Sequence, residues 1–234
     1  MNILVIAPHA DDETLGCGGT MARLAAEGHK VTVAVLTGHG DAAPHPIWTR
    51  EVWDTVRAEA REACEILGVD ELVFREVPAA QVAEHAPWQL NGLCADVVRN
   101  AAPDVLFVPF LYDLHKDHRE FFHALSTVWR PASELGRSIR AVYAYETVSE
   151  THWNFANVEP GFVPNVYVDI GDHLDTKLEA LSKYGSQVRP YPDARSLESV
   201  RAQAIWRGCQ VGMRAAEGFV LVRQYAPGGL PFTV

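Results

Sequence analysis

The sequence has no long apolar run, no closely spaced cysteines and no surplus of cations. No stretch reaches the ~18 or more apolar residues that a membrane-spanning helix needs, so no membrane span is expected. The N-terminus lacks a basic leader and its apolar run ends in His and Asp, so no secretory signal is expected and a cytoplasmic protein follows. Cys17, Cys64, Cys94 and Cys209 lie far apart, which excludes CxxC-type zinc or redox spacing and leaves buried, reduced thiols. Lys and Arg number 20 against 30 Asp and Glu, a formal net charge of −10. That balance argues against nucleic acid as a partner, because phosphate binding needs clustered cations. Otherwise the composition is that of an ordinary globular protein, 48% hydrophobic and 21% charged. A chain of 234 residues suits one well-filled domain, 1–234, with no repeat or low-complexity linker dividing it.

What is present is an alternation of short, branched apolar runs with longer amphipathic stretches. Strands are expected at 2–7, 31–36, 71–75, 104–108, 141–145, 166–170 and 218–222. Helices are expected at 21–27, 50–67, 88–101, 119–128, 172–184 and 197–213. This order gives an α/β, Rossmann-like fold: a mostly parallel sheet flanked by helices. The later part, with a loop at 147–164 carrying Trp153, Phe155 and Phe162, is less regular and is expected to cap the sheet and shape the pocket. Residues 37–41 read as a turn. Gly16, Gly18 and Gly19 invite a nucleotide-binding reading, but the spacing is not GxGxxG and the neighbouring acids would repel phosphate.

Two strand ends carry the chemistry. Ile3 to Ala7 runs straight into Pro8-His9-Ala10-Asp11-Asp12-Glu13, and the 104–108 strand runs into Asp113-Leu114-His115-Lys116-Asp117-His118. Alone, a His-x-x-His or an Asp-Asp-Glu is weak, the second usually being a solvated turn. Together, at the carboxyl ends of two strands of one sheet, they can meet where open α/β folds bind ligands. His9, Asp12 and His118 would supply two imidazoles and a carboxylate, a donor set suited to catalytic Zn²⁺ or another divalent transition metal. Asp11 is then spare and can act as general base. His115 can sit across the site as a cation, stabilising an oxyanion or protonating a leaving amine. Asp113 or Asp117 can orient one of the imidazoles, and Glu13 can support the loop. His39, His45 and His152 lie in loops that could border the pocket.

These residues resemble the LmbE-like, or PIG-L, N-acetylglucosaminyl deacetylases. The family's opening His-Pro-Asp-Asp-Glu stands here as His9-Ala10-Asp11-Asp12-Glu13, and its His-Pro-Asp-His as His115-Lys116-Asp117-His118. Softer matches follow at Arg57 to Ala63, Leu67-Gly68-Val69, Asp169-Ile170, Lys177, Ser186-Gln187 and Glu217-Gly218-Phe219. The resemblance implies zinc on His9, Asp12 and His118, Asp11 as general base and His115 stabilising the transition state. It also implies a substrate-binding arginine near the second helix, Arg57 with Arg50 as competitor. It implies a small N-acylated amino-sugar substrate, most simply an N-acetyl one. Members of the family often form trimers or hexamers, so a homo-oligomer is compatible with it. Two alternatives stand beside this reading: an amidase or deacylase of a larger conjugate or natural-product glycoside, and a metal-binding protein without catalysis. Asp11 and His115 weigh against the second, since neither is needed merely to hold metal.

Overall fold

The computed structural model describes residues 1–39 and 45–226; the end of the expected 37–41 turn, from 40 onward, lies outside them. Seven strands form one sheet in the order β3-β2-β1-β4-β5-β7-β6. They are β1 (Asn2–Ala7), β2 (Lys30–Gly38), β3 (Glu71–Pro78), β4 (Val105–Pro109), β5 (Ala141–Tyr145), β6 (Val166–Asp169) and β7 (Ala216–Gln224). The first five pair in parallel. β7 runs antiparallel to both β5 and β6.

Helices cover both faces: α1 (Asp12–Ala26), α2 (Arg50–Ile66), α3 (Pro87–Ala101), α4 (Lys116–Val128), the short α5 (Glu134–Ser138), α6 (Leu174–Ser182) and α7 (Leu197–Cys209). The pleat of β1 sends Ile3, Val5 and Ala7 into one core with α1, α2, α6 and α7. Leu4 and Ile6 enter the other core, with α3 and α4. Burial on both faces is why these strands read as unbroken apolar runs rather than alternating ones.

The chain winds outward from β1 through β2 to β3 on one side, then returns to lay β4 and β5 on the other. The reversal falls between β1 and β4, paired at Ile3–Val105 through Val5–Phe107. Where strand order reverses, the loops at the carboxyl ends diverge and leave a crevice. Both His/Asp clusters leave from the strands that flank it.

Three elements differ from expectation in ways that matter to the site. α1 begins at Asp12, not near residue 21, so its glycines lie inside the helix. They let neighbours approach closely: the Tyr145 ring packs on Gly16, and a Cβ at Gly19 would lie 2.7 Å from Ile170 Cδ1. α4 begins at Lys116, not residue 119, with His115 as its N-cap. α5 interrupts a stretch that carries no strong helical pattern.

Candidate active site

The β1–α1 connection is three residues long, Pro8 to Ala10 with Asp11 as helix cap. Asp11 has φ = 123°, a conformation L-residues rarely adopt. The loop is pinned from several directions. The Pro8 carbonyl accepts from Thr37 N (3.0 Å) and Oγ1 (2.7 Å). The His9 amide donates to Asp12 Oδ2 (2.8 Å). The Asp11 amide donates to Glu13 Oε2 (3.1 Å). Glu13, fully buried, also accepts from Thr14 Oγ1 and the Tyr184 hydroxyl, so it braces the loop.

Three side-chain atoms converge above β1 and β4. His118 Nε2 lies 3.1 Å from Asp12 Oδ2 and 3.3 Å from His9 Nδ1, and His9 Nδ1 lies 3.4 Å from Asp12 Oδ2. Ligand bonds of 2.0–2.1 Å in a tetrahedral zinc site would set donors about 3.3 Å apart. The donor set and its spacing therefore fit a divalent metal ion. Each imidazole is held from behind by its own carboxylate: Asp113 Oδ2 is 2.8 Å from His118 Nδ1, and Asp117 Oδ2 is 3.0 Å from His9 Nε2. Such a partner fixes the tautomer so that the other ring nitrogen faces the metal position. Asp113 is itself held by Thr151 Oγ1 (2.6 Å) and Asp117 by the Ala80 amide (2.7 Å). A second grouping of His9, His115 and Asp117 is close enough to be considered. It is the weaker donor set, because the Asp117 oxygen is already engaged by the His9 ring and the Ala80 amide.

The electrostatics favour positive charge at the convergence point. Burial lowers the His9 pKa, but hydrogen bonds to Asp117 and Asp12 outweigh it and raise it to about 9. His118 behaves likewise: burial opposes charge, and Asp12 with Asp113 more than restores it. Asp12 is held below the usual carboxylate range, since His118 and His9 outweigh its burial. A divalent cation satisfies the same demand while leaving both imidazoles neutral.

Asp11 lies outside the grouping of His9, Asp12 and His118 and faces Arg195 instead. Burial and then the neighbouring Asp12 push its carboxyl well above the ordinary range, with Arg195 pulling the other way. His115 differs from expectation. Burial and then charge on His9 lower its pKa to about 4, so it is neutral at physiological pH rather than cationic. Its Nδ1 accepts from the Asp117 amide (3.2 Å), which leaves the proton on Nε2.

A cavity of about 290 Å³ opens over these groups. His9, Asp11, Asp12 and His115 form its floor. One wall is apolar, with Trp48, Val52, Trp53 and Val56 from the start of α2 and the segment before it; the other is polar, with Ser149, Glu150, Gln187 and Arg195. Arg57 does not line the cavity. It pairs with Glu76 and lies over the Phe74 ring, 5.2 Å from its centroid, while Arg50 is exposed. The arginine that reaches the cavity is Arg195, between α6 and α7, 3.4 Å from Asp11 Oδ2 and 3.3 Å from Gln187 Oε1. Gln187 carried a sequence signal through Ser186-Gln187; Arg195 carried none. The aromatic expectation also shifts. Trp153 and Phe155 are exposed and Phe162 packs on Phe110, whereas Trp48 and Trp53 line the cavity. His45 stacks with Trp48 (4.7 Å between centroids) behind that wall, and His152 pairs with Glu146 away from the cavity. No helix among the described residues is long and apolar enough to cross a membrane.

Fold and site together define a parallel α/β scaffold with a His-Asp-His cluster at its switch point. The chain belongs to the GlcNAc-PI de-N-acetylase (PIG-L) family, whose model matches residues 4–129. It is 30% identical over 188 residues to the uncharacterized deacetylase YaiS of Escherichia coli K12, covering 79% of this chain and 90% of that one. It is 26% identical to diacetylchitobiose deacetylase of Thermococcus kodakarensis, covering 97% and 83%. Among solved structures it superposes on GalB, the 4-carboxy-2-hydroxymuconate hydratase of Pseudomonas putida KT2440, with a TM-score of 0.74 at 23% identity, covering 98% and 100%.

Proposed function

We propose that this chain is a metal-dependent hydrolase that removes an N-acyl group, most simply acetyl, from an amino sugar or small amino-sugar conjugate. The observation that carries the reading is the convergence of His9, Asp12 and His118 beside a spare Asp11 under an open cavity. Family membership and two relatives named as deacetylases support it.

In this reading His9, Asp12 and His118 hold the metal, while Asp117 and Asp113 orient the two imidazoles. A bound Zn²⁺ or similar ion supplies Lewis acidity, acidifying a water and drawing charge from the acyl oxygen. Asp11 accepts the proton of the water as its oxygen attacks the acyl carbon. The neutral His115 donates its Nε2–H to the oxyanion that develops. As the C–N bond breaks, Asp11 returns the proton to the leaving nitrogen, so the products are a carboxylic acid and a free amine, which pass the remaining proton between them to give carboxylate and ammonium. Burial and the neighbouring Asp12 raise the Asp11 carboxyl, the direction that makes it a stronger base.

The test is a screen of N-acetylated amino sugars with zinc-loaded protein, scored by released amine. Release from at least one small N-acetylated sugar is expected. Silence across the panel with metal bound would overturn the small-substrate reading in favour of a larger conjugate. Hydration of an unsaturated acid without amine release would overturn the hydrolase reading altogether.

A further inference from the structure

One carboxylate in the cavity stands apart from the others. Asp12 and Asp113 are engaged by His118, Asp117 by His9, Glu13 by Tyr184, Asp11 by Arg195 and Glu146 by Arg207. Glu150 lines the cavity, half-buried, and its side chain has no hydrogen-bond or ion-pair partner among the described residues. Its carboxyl faces the open cavity rather than a protein donor, and partial burial pushes its pKa up.

Its placement is firm. The Glu150 amide donates to the Thr147 carbonyl (2.9 Å), and its own carbonyl accepts from the Leu114 amide (3.2 Å). The next residue, Thr151, bonds Asp113, the carboxylate that sets His118. The turn carrying Glu150 is thus tied to the same scaffold as the His/Asp cluster. Trp48 and Trp53 line the same cavity and add flat apolar surface. A pyranose has an apolar face and a rim of donors, so this pairing of walls matches its two sides. Arg195 and Gln187 supply donors and an acceptor on the polar wall, but they already contact each other and Asp11. Among the described residues, no hydrogen bond or ion pair engages the Glu150 carboxyl.

We propose that Glu150 is a specificity-determining residue: its carboxylate accepts hydrogen bonds from an ammonium at the scissile nitrogen or from the hydroxyl next to it, and it disfavours substrates bearing an anion there. The proposal rests on the amino-sugar reading above. A carboxylate placed this way favours amine-bearing sugars by charge and rejects carboxylate-bearing ones by repulsion. It takes no part in bond breaking, so its loss falls on binding.

The test is calorimetric titration of metal-loaded protein with glucosamine, N-acetylglucosamine and N-acetylmuramic acid, alongside amine release from the two acetylated sugars. Glu150→Ala should weaken glucosamine binding about 10- to 100-fold and raise KM far more than it lowers kcat. Glu150→Gln keeps an acceptor but no charge. It should bind N-acetylglucosamine to within about threefold of wild type, lose the preference for glucosamine and admit N-acetylmuramic acid better. Metal content should stay unchanged in both. Equal affinities of wild type and Glu150→Ala for all three sugars would overturn the proposal, as would no binding of any of them to wild type. Glu150-dependent binding without amine release would instead overturn the deacetylase reading and leave Glu150 as the reader of the sugar.

Discussion

Helix α1 touches two buried charged assemblies, and they are built on opposite plans. Midway along it, Glu217 Oε1 and Oε2 accept the amides of Gly19 (2.9 Å) and Thr20 (2.7 Å), and Lys177 Nζ donates to Glu217 (2.5 Å) and to the Leu15 carbonyl (2.8 Å). Every charge there is matched, and the adjoining space, about 10 Å³, scarcely admits one water. At the helix start, His9, Asp12 and His118 gather ligand-type atoms within 3.4 Å of one another, and His9 and Asp12 line a cavity of about 290 Å³. Buried charge is therefore not by itself a sign of function. Convergence of ligand-type atoms beside an open space is the stronger signal. The first assembly holds α6 and β7 to α1; the second is the one we propose to hold a metal ion.

The contrast can be broken by mutation. The largest stability effect belongs to the closed assembly. Lys177→Met leaves Glu217 as an uncompensated buried charge and should destabilise the fold by about 3–5 kcal/mol, read from urea denaturation, while the folded fraction retains its metal. A variant that unfolds normally but loses metal would show that the two assemblies are coupled. Asp113→Asn acts on the open assembly. It frees the His118 ring and should weaken metal affinity about 10- to 100-fold, measured by competition with a chelator, with little change in unfolding midpoint. The smallest effect is expected for Arg57→Gln. Its pair with Glu76 lies outside the cavity, so kcat/KM should change less than about threefold. Arg195→Gln, in the cavity wall, should lower kcat/KM at least ~10-fold. The reverse order would return the substrate contact to Arg57.

The scaffold and the cluster were largely legible because both are local. Strands β1, β4 and β5 are apolar runs buried on both faces, and the His/Asp clusters sit directly at strand ends. What misled were features set by distant neighbours. Gly16 and Gly19 read as a turn, yet Tyr145 from β5 and Ile170 after β6 press on them inside a helix. Arg57 had the better local match, but the guanidinium that enters the cavity comes from residue 195, brought there by the packing of α6 and α7 on α1 and α2. The protonation of His115 was equally invisible. Its neutral state follows from burial and from its role as cap of α4, and neither can be read from the spacing of the motif.

The account depends most on the division of labour between two adjacent residues. Metal content and amine release should be measured together for Asp11→Asn and Asp12→Asn, on a substrate that wild type cleaves. Asp12→Asn should lose both metal and turnover. Asp11→Asn should keep a full complement of metal while turnover falls about 100- to 10,000-fold. An Asp11→Asn protein that cleaves at the wild-type rate, or one that loses metal as Asp12→Asn does, would contradict it.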